Sequence, residues 1–437
     1  TNLLLHAGYH PTVELEKAGV VIVHTCSVRE KAEQKLYSEL GALCSLKAER
    51  GDLVVGVGGC VAQQEGAQLV ERFPGLDFVF GSQNLRHLPE MLADARGGDP
   101  SIRVDFDDEP LARFELPEQH PEYPPASPGR AFVTVMEGCD LFCAFCVVPR
   151  TRGREVSRPA DAILEEIRGH AERGVVQVTL LGQTVNAYGR PRPGSVAGEC
   201  SFPDLIERIS EVRGIERIRF TSPHPIFVDA PLIRAYAEVE QLCPHLHLPV
   251  QSGSSRVLRA MNRRHDRDAY LRTVEALQRA RPGIALTTDL IVGFPGETDE
   301  DFEETLSLVL EVGFVDSFSF KYSPRPETPA VRRGLLPVEP ELAQRRLEEL
   351  QALQRRLTLA HHSARVGSRT SVLIEGPSRR GGRQLKGRCP YNRVVNLSPA
   401  ESLAPGSIVA VQIVEATPHS LVALPLEASG ALVLPLA

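Results

Sequence analysis

The chain has 437 residues, 42% of them hydrophobic and 24% charged, with a net charge of −7. Those proportions belong to an ordinary globular protein with core enough for two or three domains, and the acidic balance excludes a global polycation, so any nucleic-acid contact has to come from a local basic patch. No run of about 18 apolar residues marks a membrane-spanning helix and the N-terminus does not read as a secretory signal; nine cysteines, an odd number, fit a reducing cytoplasm rather than a disulfide framework.

The first hundred residues alternate. Apolar runs at 20–25, 53–58 and 78–81 read as buried strands. Helices are expected at 27–49, where Ser27 and Glu30 form a capping box, at 65–72 and at 85–95. Short strand–helix alternation predicts a parallel α/β domain over residues 1–98. It opens on a helix at 2–7 with no strand ahead of it, which reads as an N-terminally truncated domain. Cys26 and Cys60 end the first two strands, at the edge where open α/β sheets bind ligands. They are able to converge there, although each alone reads equally well as a small buried hydrophobe. Cys44, in mid-helix, reads as packing.

Residues 99–128 are rich in Gly, Pro, Asp and Glu, with Pro121, Pro124, Pro125 and Pro128 close together, and read as a linker. From 129 the alternation returns in longer units. Strands are expected at 131–136, 175–181, 216–220, 245–249, 284–292 and 316–321, and helices at 160–172, 203–212, 229–240, 266–280 and 299–312. Six such units with chemistry-bearing residues after the strands predict an open (β/α)6 barrel over 129–362, its site at the C-terminal face. A charged helix at 339–364 leads to residues 363–437, whose short strands at 370–374, 393–397, 408–415 and 420–425 predict a small all-β module. Basic residues crowd there: Arg369, Arg379, Arg380, Arg383, Lys386, Arg388 and Arg393, against Glu375 as the one acid between 366 and 400. In an acidic chain that excess reads as a phosphate-facing patch.

Directly after the first barrel strand stand Cys139, Cys143 and Cys146, a Cys-x3-Cys-x2-Cys spacing. Thiolates gathered so tightly without disulfide context are metal ligands by first presumption. Zinc wants a fourth ligand, and only His170 on the next helix approaches a standard spacing. A cubane iron–sulfur cluster is normally held by four cysteines, so three leave one iron open for a cofactor.

These features resemble the methylthiotransferases of the radical S-adenosylmethionine (SAM) superfamily, in which Phe145 matches the aromatic residue before the last cysteine and the terminal β-module is of TRAM type. Local strings are similar to the tRNA 2-methylthio-N6-isopentenyladenosine synthases: Thr25-Cys26-Ser27-Val28-Arg29-Glu30, Gly59-Cys60-Val61-Ala62-Gln63, Phe145-Cys146-Val147-Val148-Pro149, Leu248-Pro249-Val250-Gln251-Ser252-Gly253-Ser254, Asp289-Leu290-Ile291-Val292-Gly293-Phe294-Pro295-Gly296-Glu297-Thr298 and Asn392-Arg393-Val394-Val395-Asn396. The resemblance spans nearly the whole chain. The family's first auxiliary-cluster cysteine, in a Gly-Cys-Gln-Met-Asn-like stretch, has no match here, so only Cys26 and Cys60 carry over. Arg150 stands where Tyr is common and Thr184 where Asn is usual, both read as peripheral to the chemistry.

The resemblance implies that a C–H bond on carbon 2 of isopentenyl(dimethylallyl)adenosine, at position 37 of a tRNA, becomes C–S–CH3. That bond is neither activated nor acidic, so a cofactor-borne radical route is the physical answer. Two [4Fe–4S] clusters are implied. One, on Cys139, Cys143 and Cys146, binds SAM and reduces it to give the 5′-deoxyadenosyl radical; an auxiliary one, on Cys26, Cys60 and a third cysteine, supplies sulfur. Implied SAM contacts are Phe145, Gly182, Gln183, Ser222, His224, Gln251, Gly293 and Glu297. Implied contacts to the tRNA anticodon stem-loop are Arg152, Arg154, Arg369, Arg379, Arg380, Lys386, Arg388 and Arg393. A flavodoxin or ferredoxin as electron donor, a monomeric state and a cytoplasmic location complete the expectation. Rival readings are the sister activities on threonylcarbamoyladenosine in tRNA or on a ribosomal protein, and, from another class, a zinc-stabilised RNA-binding protein.

Overall fold

A computed structural model of the chain describes all residues except 27–29, 96, 98–99, 107–108, 116, 118–119, 121–126, 192–198, 379–383, 398–402 and 427–437. The Ser27 cap and Pro121, Pro124 and Pro125 lie outside the described residues. The N-terminal sheet is parallel and in chain order: β1 (Val20–Thr25), β2 (Val54–Gly59), β3 (Phe78–Phe80) and β4 (Ser101–Arg103). The fourth strand corrects the expected start of the linker at 99. Ser-Ile-Arg is too short and too polar to form an apolar run, and its pairing with β3, not its side chains, makes it a strand. The helix expected at 65–72 begins earlier, as Cys60–Glu65, and resumes after Gly66 as Ala67–Arg72.

The central domain has the six expected parallel strands. β5 (Arg130–Thr134), β6 (Gln177–Leu181) and β7 (Arg217–Phe220) form one run; β8 (His245–His247), β9 (Ala285–Val292) and β10 (Asp316–Lys321) form the other. A bridge between Ile218 and Leu242 links the two. β5 is shorter than expected because Met136–Glu137 turns aside to pair with Val156–Ser157. Helices Ala160–Glu172, Phe202–Ser210, Ala230–Glu238, Arg267–Ala280 and Asp299–Val312 cover the outside, and their apolar stripes merge with the strands into one core, with Val178, Leu180, Ile163 and Ile206 fully buried. Local chemistry sets the helix ends. Ser201 with Asp204 and Thr298 with Asp301 form capping boxes, and Gly313 closes the fifth helix in the left-handed conformation.

Helix Pro340–Ser363 leads to a closed barrel of five strands, one more than expected: β11 (Arg369–Pro377), β12 (Leu385–Arg388), β13 (Val394–Leu397), β14 (Ile408–Ala416) and β15 (Leu421–Pro425). β12 was hidden in a Gly- and Arg-rich stretch with no apolar run. This module sits against the starting ends of the central strands. Arg130, first in β5, pairs with Glu375 at 2.6 Å, and Arg217, first in β7, donates to Ser371 at 2.8 Å. Asp316, first in β10, pairs with Arg393 at 2.9 Å, while buried Arg219 donates to the carbonyls of Cys389 and Pro390. The N-terminal domain docks at the opposite end, so the face at the ends of the strands lies between it and the barrel. No helix among the described residues is long and apolar enough to cross a membrane.

Candidate active site

Beyond β5 the chain enters the loop that carries the cysteine triplet. Gly138 has φ +84°, and a Cβ there would lie 2.0 Å from the Arg154 carbonyl oxygen, so glycine is required. Neighbouring loops brace this segment. Gly138 N–H donates to Gln183 Oε1 at 2.6 Å, and Asn262 Nδ2 to the Phe142 carbonyl at 3.0 Å. Ala144 N–H donates to the Met261 carbonyl at 2.8 Å, and Arg154 Nε to the buried carboxylate of Asp140 at 2.5 Å.

Cys139, Cys143 and Cys146 all line one cavity of about 170 Å³ at the ends of the barrel strands. Each sulfur has a polar neighbour. Thr184 Oγ1 lies 3.1 Å from Cys139 Sγ; Arg263 Nη1 donates to Cys143 Sγ at 3.5 Å, and Val148 N–H to Cys146 Sγ at 3.5 Å. Burial pushes the Cys139 thiol up to about 11 and the Cys146 thiol up to about 12, so without a cation beside them these groups stay protonated; iron ions would invert that balance. Three soft donors on one cavity, hydrogen-bonded at sulfur and backed by the apolar Leu141, Ile226 and Phe227, fit an iron–sulfur cluster with three protein ligands. Among the described residues no three His, Cys, Asp or Glu side chains, these cysteines included, are grouped for a single metal ion; a cubane spreads its thiolates wider than one ion does. Arg263 is 5% exposed, donates also to the Pro249 carbonyl at 2.6 Å, and among the described residues pairs with no carboxylate.

The second cysteine pair also converges. The Cys26 and Cys60 side chains hydrogen-bond, and that bond, followed by the Arg152 charge, lowers the Cys60 thiol. Arg152 reaches them from the barrel and pairs with Glu137 Oε1 at 3.3 Å. Its carbonyl accepts from Gln83 Nε2 at 2.8 Å, and the Thr151 carbonyl accepts from Ser82 Oγ at 2.7 Å. The segment just after the triplet is therefore the dock for the N-terminal domain. Two thiols by themselves do not complete the ligand set of a [4Fe–4S] cluster.

Three family descriptions match this chain: an uncharacterized protein family, UPF0004, over residues 1–81, the Radical SAM superfamily over 133–309, and the TRAM domain over 363–426. The chain is 49% identical over 423 residues to the tRNA-2-methylthio-N(6)-dimethylallyladenosine synthase of Geobacter metallireducens, spanning 96% of this chain and 92% of that one. The relative of the same description in Geobacter sulfurreducens is 48% identical over 421 residues, with the same coverage. The chain belongs to this synthase family. In fold it is similar to a radical S-adenosylmethionine methyltransferase, TsrM, from Kitasatospora setae, with a TM-score of 0.54 at 16% identity over 82% of this chain and 81% of that one.

Of the side chains expected to contact SAM, Phe145, Gln183, Ser222, His224 and Gln251 line the cavity. Ser222 and Gln251 have φ +58° and +80°, strained turns of the kind that cluster at binding sites. Gly182 packs beneath, on Met136. Gly293 and Glu297 lie elsewhere, which corrects the expectation. Gly293, at φ +71° and against Ala343, turns the chain toward helix Pro340–Ser363, where Glu297 accepts from Gly293 N–H at 3.0 Å and pairs with buried Arg346 at 2.7 Å. From β9 the cavity receives Asp289 instead, 3.4 Å from His247 Nε2. Among the RNA candidates, Arg152 and Arg154 brace the cysteine loops, and Arg388 and Arg393 are paired with Glu375 and Asp316. Arg369 is exposed and Lys386 half-buried; Arg379 and Arg380 lie outside the described residues. Arg263 and His247 were missed because no spacing marks them, and Asp289 stands in a quoted string without an expected role. Thr184 was misjudged as peripheral, although it touches Cys139.

Proposed function

We infer that this protein replaces hydrogen by a methylthio group on carbon 2 of N6-dimethylallyladenosine in tRNA. It is a radical SAM methylthiotransferase, and its cofactors are S-adenosylmethionine and [4Fe–4S] clusters. The observation that carries this reading is the convergence of Cys139, Cys143 and Cys146 on one cavity, in a chain 49% identical to such a synthase over 96% of its length. A cluster held by Cys139, Cys143 and Cys146 would supply one-electron chemistry on SAM, the route open to a C–H bond that no base has the strength to break.

In our reading this chain's residues do the following. Cys139, Cys143 and Cys146 hold the cluster as thiolates, and Thr184, Arg263 and the Val148 N–H stabilise their charge. Gln183, Ser222, His224 and Gln251 orient the amino-acid and ribose parts of SAM. Phe145 and Val148 exclude water from the reacting carbon. Arg369 and Lys386 contact phosphates at position 37's stem-loop, positioning the RNA without reading its sequence. Cys26 and Cys60, with Arg152 beside them, would supply two of the ligands of an auxiliary, sulfur-donating cluster. We further propose a flavodoxin- or ferredoxin-like electron donor, a monomer, and work in the cytoplasm, where thiols stay reduced.

The test is mass spectrometry of nucleosides from tRNA of a strain lacking this gene. Dimethylallyladenosine is expected to accumulate without its methylthio group; an undiminished methylthiolated nucleoside would show the substrate to be wrong.

A further inference from the structure

Behind Cys146 the cofactor cavity opens into a second space of about 160 Å³. The two spaces share Phe145, Cys146, Val148, Gln251 and Asp289, yet their remaining walls differ in kind. Gln183, Ser222, His224 and Arg263 line the first. Val147, Ile291, Phe320 and Tyr322 dominate the second. Ile291 and Phe320 are register partners on the adjacent strands β9 and β10, so they form a rigid patch, and the Tyr322 ring is fixed edge-on against Phe294 at 5.3 Å. Three polar residues share this wall: Ser323, Arg325, which is paired with Glu33 of the N-terminal domain, and Lys321, which is exposed.

We propose that this apolar annex receives the dimethylallyl substituent on N6 of the substrate base. The inference rests on the substrate reading above and adds where the substituent is recognised. Carbon 2 and the carbon bearing N6 flank the same ring nitrogen, so the reacting atom and the substituent must occupy adjoining spaces, as these two do. The substituent is a branched five-carbon chain with no hydrogen-bonding group. It matches walls of Ile, Val, Phe and Tyr, which gain from burying an apolar group of that size. The annex is therefore the element that selects the prenylated base.

The test measures binding of two anticodon stem-loop RNAs, one carrying adenosine and one dimethylallyladenosine, to the anaerobically reconstituted full chain. Filling the annex is expected to make the prenylated RNA bind about 100-fold tighter. Ile291→Thr and Phe320→Ser are expected to reduce that ratio below about tenfold, leaving the affinity for unprenylated RNA unchanged. The milder Phe320→Leu, which keeps the strand apolar, is expected to lose only part of the ratio. RNA-independent SAM cleavage should persist in all three. Retention of the wild-type ratio by these variants would overturn the annex assignment. A wild-type chain with no preference for the prenylated RNA would instead overturn the substrate reading beneath it.

Discussion

Replacing Cys143 by alanine is expected to abolish SAM cleavage, with 5′-deoxyadenosine falling to the level of a protein-free control. Cys143 is buried, faces the shared cavity, and accepts from the cationic side chain of Arg263. With two thiols remaining, the cluster loses both a ligand and the geometry that leaves one iron open. The loop itself should survive, because its braces run through Gly138, Asp140, Phe142 and Ala144 rather than through the sulfur. The checks are iron and sulfide per chain together with 5′-deoxyadenosine after reduction. Continued 5′-deoxyadenosine formation would refute the ligand assignment.

Arg263→Met is expected to lower cluster retention and SAM cleavage by about 10–100-fold, the usual cost of removing a group that supports metal ligands. The guanidinium is buried beside Cys143 and has no carboxylate partner among the described residues, so its charge is set against the thiolates. Removing a positive charge next to a cluster makes its reduction harder, and the midpoint potential should move to more negative values. Arg263→Lys should restore part of the effect through its charge but not through the fork that also reaches the Pro249 carbonyl. An unchanged potential in Arg263→Met, with normal iron content, would reduce the residue to packing.

Much of this architecture is legible in the sequence because a helix with one buried face carries a clear period and parallel strands read as short apolar runs. The helix at 160–172 and the strand at 316–321 fall on their predicted bounds. Elements that depend on pairing rather than pattern were not legible: Ser101–Arg103 and Leu385–Arg388 carry no apolar run and become strands only beside their neighbours. The site divides in the same way. Cys139, Cys143, Phe145 and Cys146 are close in sequence, so their spacing reports the chemistry directly. Arg263 and Asp289 come to the cavity from distant loops and strands. Basic residues were the poorest guide, because composition cannot tell a free arginine from one held by a carboxylate. Arg393 and Arg154 carry the charge that an RNA contact needs, but Asp316 and Asp140 already hold them.

The most direct measurement of the central claim uses a stem-loop RNA whose dimethylallyladenosine is deuterated at carbon 2. It is incubated with the reconstituted chain, SAM and a one-electron reductant, and its nucleosides are then analysed by mass spectrometry. The predicted product has gained a methylthio group and lost the deuterium. Retention of deuterium in the dimethylallyl nucleoside, with methylthiolation of a threonylcarbamoyladenosine stem-loop in its place, would contradict the account.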